Sequence, residues 1–171
     1  MNTRYMRTIE QRNLLNPAFC AVVVWHIARG YCTESKTTND PQALPLELVF
    51  VGASFVLRGQ TRSQLPLTTR TSLATWIADH PMDRSAIAKG VLILRQYIRE
   101  AILLGAQYGL ISFTGSGVVA ANASKKAISN YLRTTSSDEV RECARRAEFV
   151  GRWLYKGGAP STVLAMLGVK A

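Results

Sequence analysis

The side chains that could support catalysis or bind a metal ion are few and unfavourably spaced. Nucleophilic catalysis requires a base beside the nucleophile, and the 171 residues include only two histidines, His26 and His80, and three cysteines, Cys20, Cys32 and Cys143. On a helix, Cys20 and His26 would point in different directions, and no CxxC pair occurs. We therefore expect no catalytic residues, no metal site and no cofactor. An odd number of scattered thiols favours a reducing compartment such as the cytoplasm.

The histidines and the glycine-rich segment have ordinary structural interpretations. His26 lies in an apolar helical segment, so we expect a core residue with a backbone hydrogen-bond partner. His80 precedes Pro81 at a predicted helix end, where histidine commonly caps the last turn. Residues 115–117 lack the Gly-Lys-Ser/Thr of a phosphate loop and predict a turn. A hydrolase or nuclease has no support in the sequence, and we expect a protein that is not an enzyme.

The composition indicates a folded, strongly basic chain. Hydrophobic residues make up 47% and charged residues 19%, and the net charge is +10, with 15 arginines against 6 lysines. Arginine makes bidentate contacts to phosphate and carboxylate, so nucleic acid and an acidic protein surface are both candidate partners. The longest apolar run, Ala18 to Trp25, is far shorter than the roughly 20 residues that span a bilayer. No signal-peptide pattern is present, and we expect a soluble intracellular protein.

Helix signals dominate the sequence. Asn16 and Pro17 predict the start of an apolar helix that ends near Arg29, with Gly30 as its stop and an exposed loop over 33–43. A second apolar segment follows Pro45 and ends near Leu57. Thr68 or Thr69 is expected to cap a third helix before Pro81. The apolar spacing from 83 to 108 predicts a long helix with one apolar face and with Arg95 and Arg99 on the solvent-exposed side. Gly90 is expected to break this stretch into two helices.

The second half combines a hairpin with further helices. Leu110–Phe113 and Val118–Ala121 flank a glycine-rich turn and predict a β-hairpin. A short helix is predicted over 125–132. Ser136 and Glu139 form a capping-box pattern before a helix that ends at Gly157, and a last short helix begins at Pro160 or Ser161. Helix, helix and hairpin is the order of a winged helix-turn-helix. We expect a mainly α single domain over 1–171, with N-terminal helices (13–80), a winged-helix-like part (82–122) and C-terminal helices (124–169).

Two basic clusters stand out, each with two interpretations. Arg58, Arg62 and Arg70 lie in a span, 48–78, without any acid, among hydroxyl side chains such as Thr61. This cluster is either a solvated loop or a surface that contacts phosphates or carboxylates. The second cluster, Lys125, Lys126 and Arg133, follows the hairpin. These cations either contact the DNA backbone beside a wing or are solvated on the surface. The candidate DNA-binding residues are Arg95, Arg99, Lys125, Lys126 and Arg133.

Three stretches together resemble a known family. They are Leu15-Asn-Pro-Ala-Phe-Cys20, the segment from Arg58 to Trp76 with Thr69-Arg-Thr-Ser-Leu73, and Ala147-Glu-Phe-Val-Gly-Arg-Trp153 through Leu167-Gly-Val169. Over about residues 13–169 the chain resembles the middle component of bacterial three-component ABC systems. It departs from the pattern of that family at its end, where Lys170-Ala171 replaces an Arg-Pro ending.

The resemblance implies a non-catalytic adaptor. Such a protein links an ABC ATPase of the SMC/Rad50 kind to an effector in a Lamassu-like defence module against phage or plasmids. It is expected to carry winged-helix elements and to contact DNA, either directly or together with the ATPase. The rival hypothesis is a free-standing winged-helix transcription regulator. Because tryptophan and arginine dominate interface hot spots, and because burial of an unpaired arginine is costly, we expect a partner-binding set in the family-like strings. Its members are Arg58, Thr61, Arg62, Arg70, Trp153 and Lys170.

Overall fold

The computed structural model describes residues 15–39, 41–134 and 137–170, and in these ranges the chain is mainly helical with one small antiparallel sheet. This confirms the predicted mainly α class. The elements in chain order are α1 (Pro17–Ser35), a 3-10 turn (Lys36–Thr38), α2 (Leu46–Leu57), α3 (Gly59–Gln64), α4 (Leu73–Asp79), α5 (Pro81–Gln107), β1 (Ile111–Thr114), β2 (Gly117–Ala120), a 3-10 turn (Asn122–Ser124), α6 (Lys125–Thr134), α7 (Asp138–Lys156) and α8 (Pro160–Leu167).

Helix α1 begins where the sequence predicts and ends later. The Asn16 side chain accepts a hydrogen bond from the backbone N–H of Ala18 at 2.9 Å, and Pro17 opens the helix. The predicted stop at Gly30 is wrong, since the helix continues to Ser35, so the expected loop over 33–43 begins with three α-helical residues and the 3-10 turn Lys36–Thr38. Gly30 stays in the helix because α7 crosses at that point. A β-carbon on Gly30 would lie 2.1 Å from the carbonyl oxygen of Glu148.

The crossing of α1 and α7 is the centre of the core. A β-carbon on Gly151 of α7 would lie 2.0 Å from the carbonyl oxygen of Ile27, so glycine on each helix allows backbone to touch backbone. Fully buried aromatic side chains flank the crossing, with Trp25 on α1 and Trp153 on α7. The hydrophobic cluster around them includes residues from 19 to 167, so helices from both ends of the described chain share one core.

The long helix α5 packs against α1 and α2 without the predicted break. Gly90 lies inside the helix, and a β-carbon there would come 2.3 Å from the Ser54 hydroxyl oxygen of α2. Ser54 donates its own hydrogen bond to the carbonyl oxygen of Ile87 at 3.0 Å. Gly90 is therefore a point of close helix contact. The predicted apolar face is confirmed, because Ile87, Leu94, Ile98, Ile102 and Gly105 are all buried.

Two helix starts differ from the predicted ones. Ser72 rather than Thr68 or Thr69 caps α4, and its hydroxyl accepts from the backbone N–H of Thr75 at 3.1 Å. The cap of α7 is Ser137, which accepts from Val140 N–H at 3.3 Å; Ser136 lies outside the described residues. The later helices match the sequence more closely. The predicted segment over 125–132 is α6, and the last helix starts at Pro160 and ends before Gly168.

The predicted β-hairpin is confirmed and is held at both sides. Ile111 pairs with Ala120 and Thr114 with Gly117 in an antiparallel register. A single bridge joins Leu44 to Val118 on the outer edge of β2, with N–O distances of 2.9 and 2.8 Å. Trp25 of α1 donates its indole N–H to the carbonyl oxygen of Ala121 at 3.0 Å. These contacts fix the hairpin against the helical core.

Candidate partner-binding surfaces

The basic connector, residues 58–72, joins α2 to α4 and includes the short helix α3. Two of its polar side chains point inward. Thr61 is fully buried, and its hydroxyl donates to the Asp83 carboxylate of α5 at 2.9 Å. Arg62 is 7% exposed. Its guanidinium donates to the carbonyl oxygen of Val56 at 2.6 Å and to the Glu139 carboxylate of α7 at 2.7 Å. We expected polar surroundings and an external partner for Arg62, whereas the structure supplies its partners from within the chain.

The loop that follows, residues 65–72, is fastened to α7 by backbone acceptors. Trp153 is fully buried and donates its indole N–H to the carbonyl oxygen of Thr71 at 2.7 Å. Arg146 donates to the carbonyl oxygens of Pro66 and Leu65 at 3.0 and 3.4 Å. These hydrogen bonds therefore fix the connector to α7. The described contacts of Thr61, Arg62 and Trp153 are structural.

The other members of the predicted partner-binding set lie nearer the surface. Arg58 is half-buried and points its Nε at the Thr61 hydroxyl, 3.5 Å away. Arg70 and Lys170 are exposed. Neither forms an ion pair or a side-chain hydrogen bond with the residues that the structure describes. Their side chains are free to meet another molecule.

The five predicted DNA-binding residues fall into two separate places. Lys125, Lys126 and Arg133 are exposed on α6, where the Arg133 guanidinium donates to the Asn130 side chain at 2.6 Å. Arg95 and Arg99 are exposed on α5. Arg95 lines a groove together with Lys170 of the predicted partner-binding set. The fold thus brings together two residues that the sequence had assigned to different partners.

That groove lies between α2, α5 and the end of α8 and has a volume of about 680 Å³. Its wall is largely apolar, and its charged lining residues are Glu47, Lys89, Arg95 and Lys170. The apolar lining comes from Leu46, Phe50, Val91, Leu92, Leu164 and Val169.

The solvent face of α5 continues the groove and is unusually apolar. The exposed fractions are 73% for Leu92, 67% for Ile93 and 70% for Leu103. Exposed apolar residues that cluster mark interaction surfaces, whereas single ones need no explanation. These three did not enter our sequence-based site, although the sequence carries the signal. They fall outside the apolar seam of α5, on the side that a helix turns to water.

A second, more open cleft lies along α7, and its charges are largely satisfied. Arg141 pairs with Asp138, and Arg145 and Arg146 both pair with Glu142. At its base, Nδ1 of buried His26 lies 3.6 Å from the Glu148 carboxylate, so the expected backbone partner of His26 is wrong. The His26 side chain lowers the pKa of Glu148, Arg29 and Arg152 lower it further, and burial opposes them. Beyond these pairs the cleft keeps an excess of positive charge, because five arginines line it against three acids, and the buried Nε of Arg152 has no hydrogen-bond partner among the described residues.

His80 caps a helix, and the thiols of Cys20 and Cys143 are buried. His80 caps α4 as predicted, with Nδ1 2.8 Å from the carbonyl oxygen of Trp76 and its ring stacked on the indole. Burial raises the pKa of the Cys20 thiol to about 12 and that of Cys143 to about 11, so both remain protonated. Within 15–39, 41–134 and 137–170, no three potential metal-binding side chains come together. No helix of those ranges is long and apolar enough to cross a membrane.

Comparison with known protein families decides the relationship of the chain. Residues 5–171 match the Middle Component 3 family of ABC-three component (ABC-3C) systems. The chain belongs to this family. The resemblance inferred from the three sequence stretches is thereby confirmed, and this ABC-3C middle component is one part of a multi-component system. No curated protein and no solved structure matches the chain.

Proposed function

We propose that this ABC-3C middle component is a non-catalytic adaptor that joins an ABC ATPase of the SMC/Rad50 kind to an effector in a cytoplasmic defence complex. The observation that carries the proposal is the solvent face of α5, where Leu92, Ile93 and Leu103 are each about two-thirds exposed or more. Burying a side chain of this size contributes about 1.5–3 kcal/mol. A protein partner that covered all three would gain a large part of a stable interaction.

The scaffold behind this face suits an adaptor. Helix α5 packs its opposite side against α1 and α2, so its exposed residues are presented by a rigid element rather than by a loop. Burial of Thr61, Arg62 and Trp153 fixes the connector and α7 to the same core. A partner bound on α5 and another bound elsewhere, for example near exposed Arg70, would therefore be held in a defined relative position.

Changing Leu92 and Leu103 together to serine should remove one partner from the complex. The chain is co-expressed with the ABC ATPase and the effector encoded beside it, and the amounts that co-purify are measured. Truncation of residues at an interface centre typically costs more than 1 kcal/mol each, so we expect about tenfold or more loss of one component. The matched control is Phe113→Ser, because Phe113 is an exposed large apolar residue (53%) but lies on β1. Failure of either component to co-purify with the unaltered chain would refute the adaptor role.

A second candidate function, DNA binding through a winged helix, has its own supporting observation. A single β-bridge joins Leu44, which lies between α1 and α2, to Val118 of β2 at the edge of the two-stranded sheet. A short strand between the first two helices that pairs with the second strand of the hairpin is the arrangement of a winged helix. Two features differ from a winged helix. The helices α3 and α4 intervene before α5, and the solvent face of α5 carries apolar residues, which do not bind the polar surface of DNA. A sequence-specific footprint would favour the transcription regulator over the adaptor.

If α6 contacts DNA, binding should be weak, tolerant of sequence and steeply dependent on salt. Lys125 and Lys126 are exposed on the first turn of α6, beyond the hairpin. Each phosphate contact lowers log K by about 0.9 per log unit of salt, so changing both lysines to alanine should flatten the slope by up to about 1.8. Fluorescence anisotropy with a labelled duplex at several salt concentrations measures this slope. Lys36→Ala serves as the control. An unchanged slope in the double variant would place these lysines on a solvated surface.

A further inference from the structure

The groove and the solvent face of α5 form one continuous surface. Leu92 and Arg95 belong to both, lining the groove toward α2 and α8 and facing solvent along α5. From Ala88 to Leu103 the surface follows α5 for about 22 Å, at 1.5 Å per residue. We call this the α5 docking surface. It is long enough for about four turns of another helix.

The cations of the α5 docking surface have no partners among the described residues. Lys89, Arg95, Arg99 and Lys170 form no ion pair and no side-chain hydrogen bond with any residue in the described ranges. The acids beside them are Glu47 and Glu100, and Glu100 accepts a hydrogen bond from Gln96 at 3.2 Å. On α7, by contrast, Arg141 pairs with Asp138, and Arg145 and Arg146 share Glu142. The α5 docking surface therefore combines an apolar groove with cations that have no partner among the described residues.

The combination of an apolar centre and a cationic rim selects among the possible occupants. DNA would pair with the cations but leave Leu92, Ile93 and Leu103 against a polar backbone. A second copy of this chain, related by two-fold symmetry, would bring together two surfaces that each carry four cations and two acids, and this net like charge is repulsive. A flat lipid surface cannot enter the groove between α2, α5 and α8. A protein segment with apolar residues on one face and acids beside them satisfies both parts of the surface.

We infer that the α5 docking surface binds an acidic amphipathic α-helix of a partner protein, with apolar residues at i, i+3 or i+4 and i+7 in the groove and Asp or Glu residues opposite Lys89, Arg95 and Lys170. This inference rests on the proposed adaptor function and names the chemistry of one partner. A helix is the occupant because an apolar groove between helices accepts the apolar stripe of another helix. The acids of that helix would supply the ion pairs that the rim lacks.

Site-specific photocrosslinking in the full complex tests the inference. Leu92 is replaced by the photocrosslinking residue benzoylphenylalanine, the complex is assembled with the co-encoded ATPase and effector, and the crosslinked segment is identified by mass spectrometry. We expect one acidic, amphipathic helical segment of either component. The same residue at Leu67 is the control and should not capture that segment. A crosslink to a second copy, to DNA, to lipid or to a basic segment would overturn the inference.

Charge reversal provides the second measurement. Lys89→Glu and Lys170→Glu should each weaken binding of the crosslinked segment, made as a labelled peptide, by about tenfold, whereas Lys36→Glu should not. Reversing one acid of the peptide to lysine should restore binding to Lys89→Glu or Lys170→Glu. Equal affinity of all variants would overturn the inference. If the unaltered complex forms but Leu92 captures neither component, the docking inference fails while the adaptor function stands. If no complex forms at all, the adaptor function itself fails.

Discussion

Replacing Gly151 by alanine is expected to lower the free energy of unfolding by about 3 kcal/mol or more, the upper part of the range for overpacked cores. The added β-carbon would lie 2.0 Å from the carbonyl oxygen of Ile27 and 2.8 Å from the backbone nitrogen of Tyr31. Both are main-chain atoms of α1, so no flexible side chain can move to make room. The two helices must separate, and the buried side chains packed around the crossing would lose contacts.

Gly115→Ala is the matched control, because a β-carbon there meets no atom within 4 Å and the residue does not have a positive φ. Urea denaturation followed by circular dichroism measures both variants. Gly30→Ala should behave like Gly151→Ala, since its β-carbon would meet the carbonyl oxygen of Glu148 at 2.1 Å. If Gly151→Ala unfolds at the urea concentration of the unaltered protein, the close crossing of α1 and α7 is not a feature of the native state.

The same glycines show what a sequence can and cannot predict about this fold. Local signals placed Asn16 at the start of α1, the hairpin around residue 115 and the stop of α7 before Gly157, because each depends on neighbouring residues only. Gly30 carries the ordinary signal of a helix stop. The contact that keeps it helical comes from Glu148, far along the chain, and no local pattern contains that information.

The candidate surfaces also depend on contacts between residues that are far apart in the sequence. Arg62 sits among polar residues in the sequence, and its partner Glu139 lies 77 residues later, so its burial could not be foreseen. Lys170 and Arg95 share a groove only because α8 returns to α5. The sequence alone places the apolar residues Leu92 and Leu103 on the solvent-exposed side of a predicted helix. Their meaning depends on the absence of any covering element among the described residues, which only the fold shows.

Changing Arg62 to alanine should destabilise the protein, whereas the same change at Arg70 should not. Loss of the Arg62 guanidinium leaves the Val56 carbonyl oxygen without its donor and removes a charged hydrogen bond to Glu139. A buried unsatisfied group costs about 1–3 kcal/mol, and a hydrogen bond to a charged group contributes about 1.5–3 kcal/mol. Because Glu139 is 40% exposed and can be rehydrated, we expect a total near 3 kcal/mol. That corresponds to a decrease of roughly 6–12 °C in the Tm of a protein of this size.

Arg70 provides the matched substitution, since it is exposed and makes no ion pair or side-chain hydrogen bond within the described chain. Its replacement by alanine should change stability by less than about 0.5 kcal/mol. Arg62→Lys should be intermediate, because an ammonium keeps the charge but cannot bridge Val56 and Glu139 with one planar fork. Differential scanning calorimetry gives the three midpoints, and co-purification with the ATPase and effector gives binding. If Arg62→Ala keeps its midpoint yet loses a component, then Arg62 faces a partner and the internal contacts described for it are not those of the complex.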